Sequence, residues 1–226
     1  MNTPGQNSFT RTLSELKRQG CNILVVGSTA PDARQSLTRR LLGDATVESR
    51  KRLFVFTDGV HTHENLGNGP RDADSLRVVT QSAVVRGALA AESLSGSNLG
   101  GPVSREYVEA DGVGSLSWAI GDAIHSFESG ESLAPSELRL CLDSLQPLVE
   151  DHGVGAVRRF VSVVGGRIDS VSGMAHYHLS SPLDDPVVDG LADVFDGIIE
   201  LRMCDGIPEH RWTFPDRTLP NDWIPV

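Results

Sequence analysis

Lysine is nearly absent from this chain. Its 20 basic residues include only Lys17 and Lys51 as lysines, against 30 acidic residues, for a formal charge of −10. That excess argues against general binding to nucleic acid or to anionic membranes, both of which select positive surfaces. At ordinary ionic strength such a surface repels itself, whereas at about 1 M salt the Debye length shrinks to roughly 3 Å and the repulsion is screened. Arginine in place of lysine keeps a planar, weakly hydrated cation suited to bidentate pairs. The composition therefore points to a salt-rich cytoplasm.

Cysteine and long apolar runs are scarce as well. Cys21, Cys141 and Cys204 are odd in number and show no metal-ligand spacing. Two of them sit in apolar strands, so reduced and mostly buried thiols of a cytoplasmic protein are expected. No apolar signal segment opens the chain, and no stretch approaches the roughly 20 apolar residues of a membrane span. Internal repeats are missing. With 226 residues, 39% of them hydrophobic, the chain suits one soluble α/β domain with a substantial core and no membrane insertion.

What is present is an alternation of short apolar runs and amphipathic stretches. Phe9, Leu13 and Leu16 predict a first helix over 8–18, either packed on the domain or serving as a partner-binding arm. An apolar strand over 22–27 runs into Gly27, and a helix follows over 31–42. Strands are expected over 51–58 and 76–80, separated by a polar loop over 59–75 rich in His, Asn and Gly. Residues 82–107, rich in Ala, Ser and Gly, predict a long surface connection in preference to a mobile lid. Leu116, Ile120, Ile124 and Phe127 form the apolar stripe of the next helix, with Trp118 off it; an exposed Trp there suggests an interface. Strands over 139–145, 174–179 and 196–202, helices over 155–171 and 186–195, and a hairpin to 208–214 complete the series. The order implies a doubly wound, mostly parallel sheet flanked by helices, with a C-terminal β-hairpin. Residues 1–19 form an N-terminal helix or arm, 20–215 the α/β domain, and 216–226 a tail that docks on a neighbour or covers its own domain.

Three segments carry a family likeness. Arg139-Leu140-Cys141-Leu142-Asp143-Ser144-Leu145 resembles the Walker B strand of RecA- and KaiC-like ATPases, whose terminal carboxylate holds the Mg²⁺ water shell. Lys51-Arg52-Leu53-Phe54-Val55-Phe56-Thr57-Asp58 resembles the strand on which KaiC-like ATPases carry a catalytic glutamate, with Asp58 one carbon shorter. Asp196-Gly197-Ile198-Ile199-Glu200-Leu201-Arg202 matches a late strand of KaiC-like domains. The similarity spans about residues 20 to 215, and more narrowly the chain resembles degenerate RecA/KaiC-like proteins of haloarchaea. It implies a RecA/KaiC-like fold, and, since the superfamily commonly assembles through fold edges, it allows a homo-oligomer.

The phosphate-binding loop has lost its chemistry. A working Walker A motif wraps backbone N–H groups around phosphates, adds a Lys charge and places a hydroxyl on Mg²⁺. Counting from Gly27, the second Gly, the Lys and the hydroxyl are replaced by Asp32, Ala33 and Arg34. Asp32 puts negative charge where a phosphate is otherwise favoured, and Pro31 removes a backbone donor. Losing the Lys alone forfeits about 1.5–3 kcal/mol, one to two orders of magnitude in affinity. Ser28, Thr29, Arg34 and Ser36 remain for weak anion binding; the alternative is simply a well-capped helix. The candidate vestigial nucleotide site is therefore Gly27, Ser28, Thr29, Arg34, Asp58, Asp143 and Ser144. No cofactor is expected, with ATP and Mg²⁺ as the alternative.

Two histidine pairs invite a metal. His61-Thr62-His63-Glu64 and His176-Tyr177-His178 each have i,i+2 spacing, which on a strand points both rings to one side. For His176 and His178 the competing expectation is hydrogen-bonded packing within the sheet. Three functional classes follow: a non-catalytic signalling or regulatory module acting on a protein partner, a weak or atypical ATP-binding protein or ATPase, and a metal-dependent enzyme built from the His pairs.

Overall fold

The computed structural model describes residues 4–27, 31–43, 50–57, 74–81, 104–108, 112–128, 132–214 and 222–226. In chain order the elements are α1 Pro4–Gln19, β1 Cys21–Val26, α2 Pro31–Leu42, β2 Lys51–Phe56, β3 Leu76–Gln81, β4 Ser104–Val108 and α3 Val113–Glu128. They continue with β5 Leu138–Leu142, α4 Gln146–His152, α5 Val154–Ser170, β6 Met174–Leu179, α6 Pro186–Asp189, β7 Gly197–Cys204, β8 Ile207–Thr213 and β9 Ile224–Pro225. The strands form a nine-stranded sheet in the order β4-β3-β2-β5-β6-β1-β7-β8-β9. Pairing is parallel from β4 through β7, and antiparallel from β7 to β8 and β9.

The strand sequences explain this arrangement. β1 and β5 are buried along their whole length, as expected of parallel strands covered by helices on both faces. Alternate residues then divide between two cores. Leu24 and Val26 join Leu140, Leu142, Tyr177 and the apolar faces of α3 and α5. Ile23 and Val25 instead meet Ala33 and Leu37 of α2, with Leu16 of α1 beside them. The β7–β8 turn is a two-residue loop, Asp205-Gly206, with φ of 50° and 79°; positive φ at both positions is what a tight hairpin with right-handed strand twist requires.

Several expectations change. The 186–195 helix is cut short: Asp185 caps it through Val187 N at 2.8 Å, Pro186 opens it, and it stops at Gly190. A Cβ on Gly190 would lie 2.8 Å from Val154 Cγ1, so a glycine lets this turn approach α5 before a 3₁₀ turn over Ala192–Val194. The connection over 82–107 is also not strand-free: Ser104–Val108 pairs with β3, and 82–103 lies outside the described residues. The first helix begins at Pro4 and packs on the domain, with Phe9 edge-on to Trp212 and Phe214 at 6.1 and 6.3 Å. The tail covers its own sheet, since Ile224 pairs with His210 and Trp223 lies under Arg202 and Arg211 at 3.8 and 4.7 Å. No described helix is long and apolar enough to cross a membrane.

Candidate functional site

At the carboxyl edge of an open parallel sheet, strands end and loops diverge, leaving backbone groups for ligands. Gly27 stands there, just beyond β1. Its φ is 114°, its N–H donates to Ser181 O at 2.8 Å, and a Cβ would fall 2.3 Å from Leu201 O on β7. The glycine is thus required by a neighbouring strand, whatever else the loop does. Ser28, Thr29 and Asp58 lie outside the described residues.

The structure brings Arg34, Asp143 and Ser144 together. Arg34 rises from the first turns of α2 and its Nη2 donates to the Asp143 carbonyl at 2.5 Å. Asp143 N donates to Val55 O at 3.0 Å and Leu145 N to His178 O at 2.7 Å, so the chain leaving β5 is pinned to β2 on one side and β6 on the other. Thr57, buried at the end of β2, then closes onto the carboxylate. Its N–H donates to Asp143 Oδ1 at 2.8 Å, and its hydroxyl lies 3.0 Å from the same oxygen. That hydroxyl also reaches the Ser144 carbonyl; with a single proton it donates to one acceptor at a time. Ser144 Oγ accepts from Gln146 N at 3.2 Å at the start of α4.

One step back along β5, a second cluster lies under α2. Cys141 stands in register with His176, and His178 follows on the same face of β6. One ligand atom from each of the three lies within 4.8 Å of the others, and all three residues are buried. The two imidazoles meet edge to face with centroids 5.4 Å apart. Thr38 of α2 covers them, its Oγ1 3.1 Å from His178 Nε2. His176 Nε2 is buried without a hydrogen-bond partner.

Burial sets the charge state of this cluster. Desolvation, with Arg139 adding to it, pushes His176 down to about 3. His178 is also held well below the ordinary range by burial, then by His176 and Arg34. The Cys141 thiol is raised by burial and by Asp143, against smaller opposing effects of Arg34 and Thr38. At neutral pH the rings are neutral and the thiol keeps its proton.

Of the histidines flagged in the sequence, His61 and His63 lie outside the described residues. Cys141, Thr38 and Thr57 are the site residues that sequence reasoning missed. The His176–His178 spacing signalled a shared face; the lateral neighbour depends on strand order, which spacing does not contain. No curated protein matches the chain. Residues 20–201 match the model of a family of unknown function, DUF7504, and the chain belongs to that family.

Proposed function

We propose that this chain is a non-catalytic RecA/KaiC-like domain acting as a signalling or regulatory module through protein contacts. The observation that carries the reading is the state of Asp143. In an active relative this carboxylate organises Mg²⁺; here Thr57 donates to its Oδ1 from the backbone and is poised to do so from the hydroxyl. Arg34, the cation nearest the missing Lys position, spends a donor on the Asp143 carbonyl. Both groups that would serve a nucleotide thus hold the edge of the sheet together. Rebuilding a phosphate site would mean breaking these bonds first, each worth about 1–3 kcal/mol when charged groups are involved.

Contact surface is available elsewhere. Trp118 on α3 is 69% exposed and Val163 on α5 is 62% exposed. Large apolar groups on the outer helical layer gain most from burial against another protein, whether a different chain or a second copy. The decisive experiment is calorimetric titration of ATP, ADP and GTP with Mg²⁺ into the purified chain in high potassium chloride. No saturable heat up to millimolar nucleotide is expected. Saturable binding, abolished by Asp143→Asn, would overturn the reading and restore a nucleotide role.

A further inference from the structure

A buried imidazole nitrogen with no partner is costly, by about 1–3 kcal/mol, and native structures tolerate few of them without an unseen water or ion. His176 is 4% exposed and its Nε2 is such an atom. Beside it stand the two other metal-ligating side chains of the cluster, Cys141 and His178, 5% and 4% exposed. Bonds of about 2.0–2.3 Å to one central ion place N and S ligands roughly 3.4–3.8 Å apart. The spread of up to 4.8 Å between these ligand atoms therefore needs a closure of about an ångström, within the reach of side-chain rotation. Thr38 already orients one of the three, His178, as partners beyond the ligands do in metal sites.

We propose that Cys141, His176 and His178 form a three-coordinate site for a single Cu⁺ ion. The donor set, one thiolate and two neutral imidazoles, is soft to borderline and suits copper and zinc. Charge separates the two ions. On binding, the Cys141 S–H bond breaks, an S–Cu bond forms and the proton leaves to solvent, with no change of oxidation state at sulfur or copper. Thiolate and Cu⁺ then sum to zero, which a buried site accepts, whereas Zn²⁺ leaves one positive charge buried at a cost of several kcal/mol. Arg34 and Arg139 press positive potential onto the cluster and raise that cost. Asp143 offsets it only at Cys141. Three protein ligands with no described carboxylate among them also leave Zn²⁺ short of its usual four.

This inference goes beyond the proposed function and stands apart from it, because nucleotide and metal are titrated separately. The test uses the full chain, stripped with a chelator, in high potassium chloride with reductant and without oxygen. Cu⁺ is added against a colorimetric Cu⁺ chelator, during refolding as well as to the folded protein, and Zn²⁺ is titrated in parallel. One Cu⁺ per chain is expected, with a higher melting temperature, and Zn²⁺ should not displace it. C141S and H176Q should each weaken Cu⁺ by more than about 100-fold with circular dichroism unchanged, while C204S, at the partly exposed thiol, should bind normally. X-ray absorption of the unmodified copper-loaded chain should show one sulfur and two nitrogens, a readout that survives if C141S fails to fold. Failure to retain Cu⁺, retention by both variants, preference for Zn²⁺, or an all-sulfur shell would each overturn the proposal.

Discussion

Along β6, Ala175, Tyr177 and Leu179 belong to the core under α3 and α5, while His176 and His178 turn the other way, toward Thr38 of α2. β5 repeats the division: Leu138, Leu140 and Leu142 join the first core, and Cys141 joins a different cluster with Phe54 and Phe56. The same strands therefore build one face almost wholly from hydrocarbon and the other with a thiol, imidazoles and, through Arg139, a buried guanidinium held by Ser136 and Leu41 carbonyls. Apolar burial dominates folding free energy, while buried polar and charged groups, even when hydrogen-bonded, return less net stability. The α3/α5 face thus carries stability, and the α2 face carries the groups that stability alone would not select.

Neighbouring residues on β5 offer the largest test of that division. Leu140→Ala should cost about 2–5 kcal/mol, since the side chain is fully buried and its removal leaves a cavity inside the core. Cys141→Ala, one residue on but facing α2, removes only a sulfur and should cost about 1 kcal/mol. Urea unfolding of the two variants in high salt measures the difference. Equal losses would break the comparison between the faces.

A smaller effect is expected at the edge where both faces end. Thr57→Val keeps the shape of the side chain but takes the hydroxyl from Asp143 Oδ1 and the Ser144 carbonyl. The loss should be about 1–3 kcal/mol, recovered in Thr57→Ser, because the carboxylate is left with one donor fewer in a partly buried setting. If Thr57→Val unfolds at the wild-type urea concentration, Asp143 is not a structural carboxylate and the proposed function loses its main support.

How much of this was legible in the sequence differs along the chain. The helix over 31–42 and the strand over 174–179 follow from local signals, a proline at the helix start and an apolar run between breakers. β4 was missed because Ala, Ser and Gly surround it and no apolar alternation stands out. The helix over 186–195 was overextended because its period continues through Gly190, and only packing against Val154 shows why a glycine sits there. Asp143 could be singled out from its strand, yet its Thr57 partner comes from another strand placed beside β5 by sheet order. The Cys141–His176 juxtaposition has the same origin. Residue spacing reports one strand at a time; a site made across strands needs the topology.

The smallest effect sharpens the comparison at the far end of the α2 face. His210 of β8 lies opposite Leu201, which belongs to the α2-side core, and it is 3% exposed. Burial lowers its pKa, Arg40 of α2 adds to that, and a hydrogen bond to the Ile224 backbone opposes both. The sign follows from linkage: the unfolded chain takes up a proton at about pH 6.5, the folded chain only at lower pH. The contribution is fully present above about pH 6.5 and is lost as pH falls from there toward the depressed folded value, at up to about 1.4 kcal/mol per pH unit. His210→Gln should flatten that part of the curve while leaving stability near pH 8 within about 1 kcal/mol of the parent. The measurement is urea unfolding at constant high salt from pH 8 to pH 5, comparing parent and variant at each step. A parent-minus-variant difference that shrinks as pH rises, or does not change, would show that His210 is not held neutral beneath Arg40 and that the polar burden of the α2 face stops short of β8.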